Sequence, residues 1–180
     1  DAPGPQARAA MEALFRGVPY QLVFHPDMDA WYKCHIVWIL PVAYVCYEAD
    51  CDLTKAPRAQ LRQALDAARE GYGLLAAQGC PILPEGTEDF FRPGSKRTYL
   101  SVLFWIMART SLGRLAASDH CRNAVAEMEA LDSGFASLRA QTPDFPMPSW
   151  DALRERMPDW ETLRMRFGGA VGQEGRLTNS

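Results

Sequence analysis

Residues 27–41, Asp-Met-Asp-Ala-Trp-Tyr-Lys-Cys-His-Ile-Val-Trp-Ile-Leu-Pro, constrain this chain more than any other stretch. They put Lys33 at the head of a long apolar segment that Pro41 interrupts. A cation at the edge of a buried helix is costly, because desolvation disfavours its charged form. Lys33 therefore needs a partner or a task. The apolar run 35–47 is bracketed by Lys33 and Glu48. It is shorter than the roughly 20 residues of a membrane span, so it is expected as a core helix with no membrane partner.

Around that helix the pattern reads as all-α. Residues 5–16 form a leading helix that stops at Gly17, and Tyr20 to His25 form an extended connector. The long helix starts after Pro26, with Asp27 and Asp29 favourable at its positive end, and bends at Pro41 before ending near Tyr47. Further helices are expected over 56–78, 96–113, 118–140, 149–157 and 158–166. Pro57 opens the first of these and Gly79 stops it. Gly71 and Gly73 within it either admit a close neighbour or are simply tolerated. Ser118 is the expected N-cap of the 118–140 helix, which carries an apolar stripe of Cys121, Ala124, Val125, Met128, Leu131, Phe135 and Leu138. The domain reading is a linker and leading helix (1–25), a helical bundle domain (26–167) and a disordered glycine-rich tail (168–180). The chain opens at Asp1-Ala-Pro-Gly-Pro5 rather than at methionine, which suggests a piece of a longer protein.

Charge narrows the partners. A formal net charge of −3 and the absence of any Lys/Arg cluster argue against a nucleic-acid surface. Cys34, Cys46, Cys51, Cys80 and Cys121 form no C-x-x-C pair, and their odd number fits buried thiols in a reducing cytoplasm. Cys34, His35, Cys46 and Cys51 match no common zinc spacing, so no metal is expected.

Two readings fit Lys33. Its face continues through Val37, Leu40 and Tyr44, so apolar neighbours would depress its pKa and suit it to protonate a developing alkoxide. Alternatively it snorkels to solvent with its stem on Trp31 or Tyr32. His35 lies roughly 200° further round the helix and reads as a core histidine bonded to backbone. Glu127, at the edge of the 118–140 stripe, is either a boundary carboxylate or one that orients Lys33 or a substrate hydroxyl. Glu129 and His120 read as surface groups. Glu48, Asp50 and Asp52 cluster where the long helix ends, as a polar rim that opposes the helix dipole.

Four segments in order add a resemblance. Asp29-Ala-Trp-Tyr-Lys33 leads through a buried helix to Pro41 and on to Asp50-Cys-Asp-Leu53. Then follow Ala77-Gln-Gly-Cys-Pro-Ile-Leu-Pro84-Glu-Gly, His120 to Leu131, and the turn Phe145-Pro-Met-Pro148. Together they resemble the C-terminal domain of the ketopantoate reductase (2-dehydropantoate 2-reductase) family, the helical domain of 6-phosphogluconate-dehydrogenase-like enzymes. The resemblance implies an NADPH-dependent oxidoreductase of pantothenate biosynthesis, whose N-terminal Rossmann domain holds the cofactor while the helical domain closes over a 2-keto acid and often dimerises. It also implies Lys33 as general acid, Glu127 as its supporting carboxylate and Asp50 as a substrate contact. The family's asparagine one turn after the lysine is Val37 here, which points to a 2-keto acid other than ketopantoate. No glycine-rich dinucleotide turn is present in the 180 residues, so this chain alone is expected to be inactive. A non-catalytic helical interaction or dimerisation module, with the 99–107 helix as its interface, is the alternative.

Overall fold

The computed structural model describes residues 4–20 and 22–168; the expected disorder of the tail falls almost wholly outside them. The described residues are helical, with no strand. The helices are α1 (Pro5–Leu14), α2 (Met28–Glu48), α3 (Arg58–Ala77), α4 (Ser95–Met107), α5 (Ser111–Gly113), α6 (His120–Asn123), α7 (Val125–Arg139), α8 (Pro148–Arg156) and α9 (Trp160–Phe167). Short 3-10 turns at Leu53–Lys55 and Thr87–Phe90 join them, and a π-helical turn spans Arg114–Asp119.

α2 is the central rod. Asp27 caps it, its carboxylate accepting from the Ala30 amide at 2.9 Å. From Leu40 to Tyr47 every residue is buried, and α3, α7 and α8 surround it. Pro41 lies inside the continuous helix.

Gly71 explains how closely α2 and α3 pack. A Cβ built there would lie 2.8 Å from Val37 Cγ1 and 3.3 Å from Trp150 Cζ3, so this glycine is a packing requirement. Trp150 in turn stacks on Phe135, with ring centroids 4.1 Å apart, and meets Tyr44 edge-on. Two carboxylates tie the helices to this core. Glu70 accepts from the amides of Ser149 (2.9 Å) and Trp150 (3.0 Å), satisfying the first free donors of α8. Asp132 accepts from the Tyr44 hydroxyl, from Arg154 Nε at 2.9 Å and from Trp160 Nε1 at 2.9 Å.

Two expected helices are broken. The 96–113 helix stops at Met107 and restarts at Ser111. The 118–140 helix is divided at Ala124, whose φ of −121° and ψ of 33° leave the helical region. Ser118 is consequently no N-cap: it lies in the π-helical turn, where its buried hydroxyl accepts from the Leu53 amide at 3.3 Å. That tertiary bond fixes the turn against the loop after α2, and local capping preference is overridden.

Candidate active site at the head of α2

The first turns of α2 carry Asp29, Tyr32 and Lys33 on an open flank. The Lys33 ammonium lies 2.6 Å from the Asp29 carboxylate, and about a third of its side chain is exposed. The expected depression of its pKa is therefore corrected. The hydrogen bond to Asp29 raises it above its ordinary 10.5, against a weaker opposing effect of burial. Lys33 is an accessible, protonated cation at neutral pH.

The proline-bearing turn after α3 packs beside it. Cys34, next to Lys33, accepts through its sulfur from the Leu83 amide at 3.3 Å, and its thiol points to the Pro81 carbonyl. The segments 29–33 and 77–84, separate in sequence, thus meet in space. Val37 faces the other way, fully buried against Gly71 and Trp150. An asparagine there would enter the core and not the site.

Two hollows flank Tyr32, which lines both. The one on the Lys33 side has a volume of about 380 Å³ and is bounded by Asp29, Lys33, Ile36, Phe135 and Gln141. The other, about 540 Å³, is walled by Trp31, Trp38, Ile39, Val42, Met128 and Leu131, and Glu127 stands at its edge.

 At about 380 Å³ the Lys33 hollow is the smaller of the two. Lys33 and Glu127 therefore sit on either side of one tyrosine ring. They do not pair: Lys33 is held by Asp29, and Glu127 is exposed and makes no ion pair among the described residues.

His35 also departs from expectation. It is exposed at the larger hollow and not a core residue, its ring stacked on Trp31 with centroids 5.2 Å apart. Partial desolvation lowers its pKa below the ordinary 6.5, so it is mainly neutral at pH 7.

Asp50 joins neither hollow. It lies beyond the far end of α2, about 25 Å from Lys33 at a rise of about 1.5 Å per residue. There it adopts a left-handed backbone with φ of 59° and pairs with Arg166 at 2.7 Å. Its neighbours are likewise engaged, Glu48 with Arg156 and Gln60, and Asp52 with Thr54 and Lys55. Asp50, expected as a substrate contact, is engaged in an ion pair with Arg166. Glu129, expected as a solvated surface group, binds Arg164 of α9. His120 is exposed and lines the edge of the larger hollow.

The aromatic wall was missed in the sequence, although Trp31, His35, Trp38 and Val42 recur at i, i+4, i+7 and i+11 on one helix face. Because α2 is apolar all round, no stripe stands out from its background. A further hollow of about 560 Å³ between α3 and the 145–148 turn contains none of the expected site residues. Among the described residues no His, Cys, Asp and Glu grouping could hold a metal, and all five cysteines are free. No described helix is long and apolar enough to cross a membrane. Comparison with protein-family models, curated proteins and solved structures finds no match to this chain.

Proposed function

We propose that this chain is the helical, substrate-side part of an NADPH-dependent 2-keto acid reductase resembling the ketopantoate reductases, with Lys33 as proton donor. The observation that carries this reading is the placing of a protonated, accessible lysine at the head of a buried helix, between the 79–84 turn and the hollow edged by Glu127. NADPH, when bound, would supply the hydride. The described residues offer no strand, and among them no glycine-rich turn opens a helix, so the pyrophosphate does not fit these residues; in this reading a Rossmann domain outside the chain would hold it. The task left to this chain is the proton. As negative charge grows on the carbonyl oxygen, the Lys33 ammonium donates to it, and Asp29 holds the ammonium charged until then. Glu127, which lines the hollow across Tyr32, would orient a substrate or cofactor hydroxyl.

The test is NADPH oxidation by the natural-length protein with a panel of 2-keto acids including ketopantoate, wild type beside Lys33→Ala. Loss of a general acid lowers turnover by about 10²- to 10⁴-fold while leaving NADPH binding intact. Turnover that is unchanged by the substitution removes Lys33 from the chemistry.

A second reading, a helical interaction or dimerisation module, is favoured by α4. Tyr99, Val102, Leu103 and Ile106 are all exposed and follow i, i+3, i+4 and i+7, an apolar stripe turned outward. The partner would be a second copy of the chain. Val102→Glu with Ile106→Glu would then halve the mass measured by light scattering. A wild-type monomer at high concentration would sink this reading.

A further inference from the structure

We infer that the larger hollow seats an aryl side chain of the 2-keto acid, so that the carbonyl substrate is aromatic rather than hydroxylated; this rests on the reductase reading above. The hollow's size, about 540 Å³, is that of a small-molecule site. Its wall combines two indoles, Trp31 and Trp38, with Ile39, Val42, Met128 and Leu131. Planar rings gain from edge and face contacts with such a wall beyond the area they bury.

Charge sets the orientation. The wall holds no lysine or arginine, and its carboxylate and imidazole side chains are Glu127, His35 and His120, with both imidazoles at its rim. A substrate carboxylate placed inside would be desolvated, unpaired and repelled. His35 gives it no cation either, being mainly neutral at pH 7. Lys33, a lasting cation at neutral pH, lies in the adjoining hollow across Tyr32. The keto acid end therefore lies toward Lys33 and the ring toward Trp31 and Trp38, with Tyr32 between the two subsites. Ala43, Ala116 and Ala117 line the wall with small side chains and leave room for the ring.

Ala116 supplies the test, because it is exposed and a larger side chain there fills the hollow without entering the core. Calorimetric titration of the natural-length protein would compare phenylpyruvate with pyruvate, for wild type, Ala116→Phe and Leu131→Phe, with circular dichroism to check the fold. Phenylpyruvate is expected to bind at least about tenfold more tightly than pyruvate, and Ala116→Phe to remove that advantage while leaving pyruvate within about twofold. Leu131→Phe fills the hollow from the opposite element and should act alike. Equal affinity for the two acids, or a phenylpyruvate affinity indifferent to both folded variants, overturns the inference. NADPH oxidation assayed in parallel separates the two proposals. Lys33-dependent turnover with no effect of filling keeps the reductase and rejects the aryl subsite. Fill-sensitive binding of phenylpyruvate without turnover on any 2-keto acid keeps the subsite and rejects the reductase.

Discussion

Lys33 and Asp29, one turn apart on α2, form an ion pair at 2.6 Å that decides how the lysine titrates. Because the pair raises the folded-state pKa, its stabilising effect is complete below 10.5 and is lost as pH rises through the folded value. Asp29→Asn should therefore lower the Lys33 pKa toward 10.5, read from the ¹³Cε shift in a pH titration. The pair is partly exposed, so the change in melting temperature near pH 7 should be small. A Lys33 titration unmoved by the substitution would mean that the ammonium is held by another group.

His35 titrates in the opposite direction. Desolvation lowers its pKa, so the neutral ring is favoured in the fold, and any stability it contributes is present above 6.5 and lost as pH falls. Trp31→Ala removes the stacked indole and should return the His35 ring toward 6.5, as followed by its imidazole proton shifts. A phenyl ring seated in the hollow should depress it further.

Much of the helical framework was legible in the residues because its signals are local. Asp27 caps α2, and Gly17 and Gly79 stop helices with φ of 84° and 73°. The break at Ala124 was not legible, since neither Gly nor Pro marks it, and the π-helical turn ahead of it is tied by Ser118 to the Leu53 amide, a long-range bond. The site was legible in part. The Asp29–Lys33 spacing is an i, i+4 pair visible in the sequence, yet Asp29 was read only against the helix dipole. Asp50 pairs with Arg166, a residue too far along the chain for local pattern to connect them.

The cysteines should behave as packing groups. Cys34, Cys46, Cys51 and Cys121 are buried, and Cys46, Cys51 and Cys121 neighbour one another around Ser118. Hydrogen bonding within that group and burial push the Cys46 and Cys51 thiols well up, so they remain protonated and unreactive. Iodoacetamide at pH 8 should label at most Cys80, the least buried thiol, in the folded protein and all five after unfolding in urea. Mass spectrometry after a short pulse reads this directly. Fast native labelling of Cys46 or Cys121 would show that the core opens.

The contact between Gly71 and Val37 gives the most direct test of how α2 and α3 pack. Alanine favours a helix over glycine by about 1 kcal/mol, so an open site would be stabilised by Gly71→Ala. Here the new methyl would meet Val37 Cγ1 at 2.8 Å and Cγ2 at 3.1 Å, and Val37 is β-branched and fully enclosed. Overpacking of this kind costs about 1–3 kcal/mol, which outweighs the propensity gain, so Gly71→Ala should lower the urea midpoint. Val37→Ala alone creates a void and is also destabilising. In the double variant the new methyl at 71 occupies space that Val37 gave up, so the combined loss should be smaller than the sum of the two. Strict additivity in that cycle would mean that the helices are not in contact at these residues.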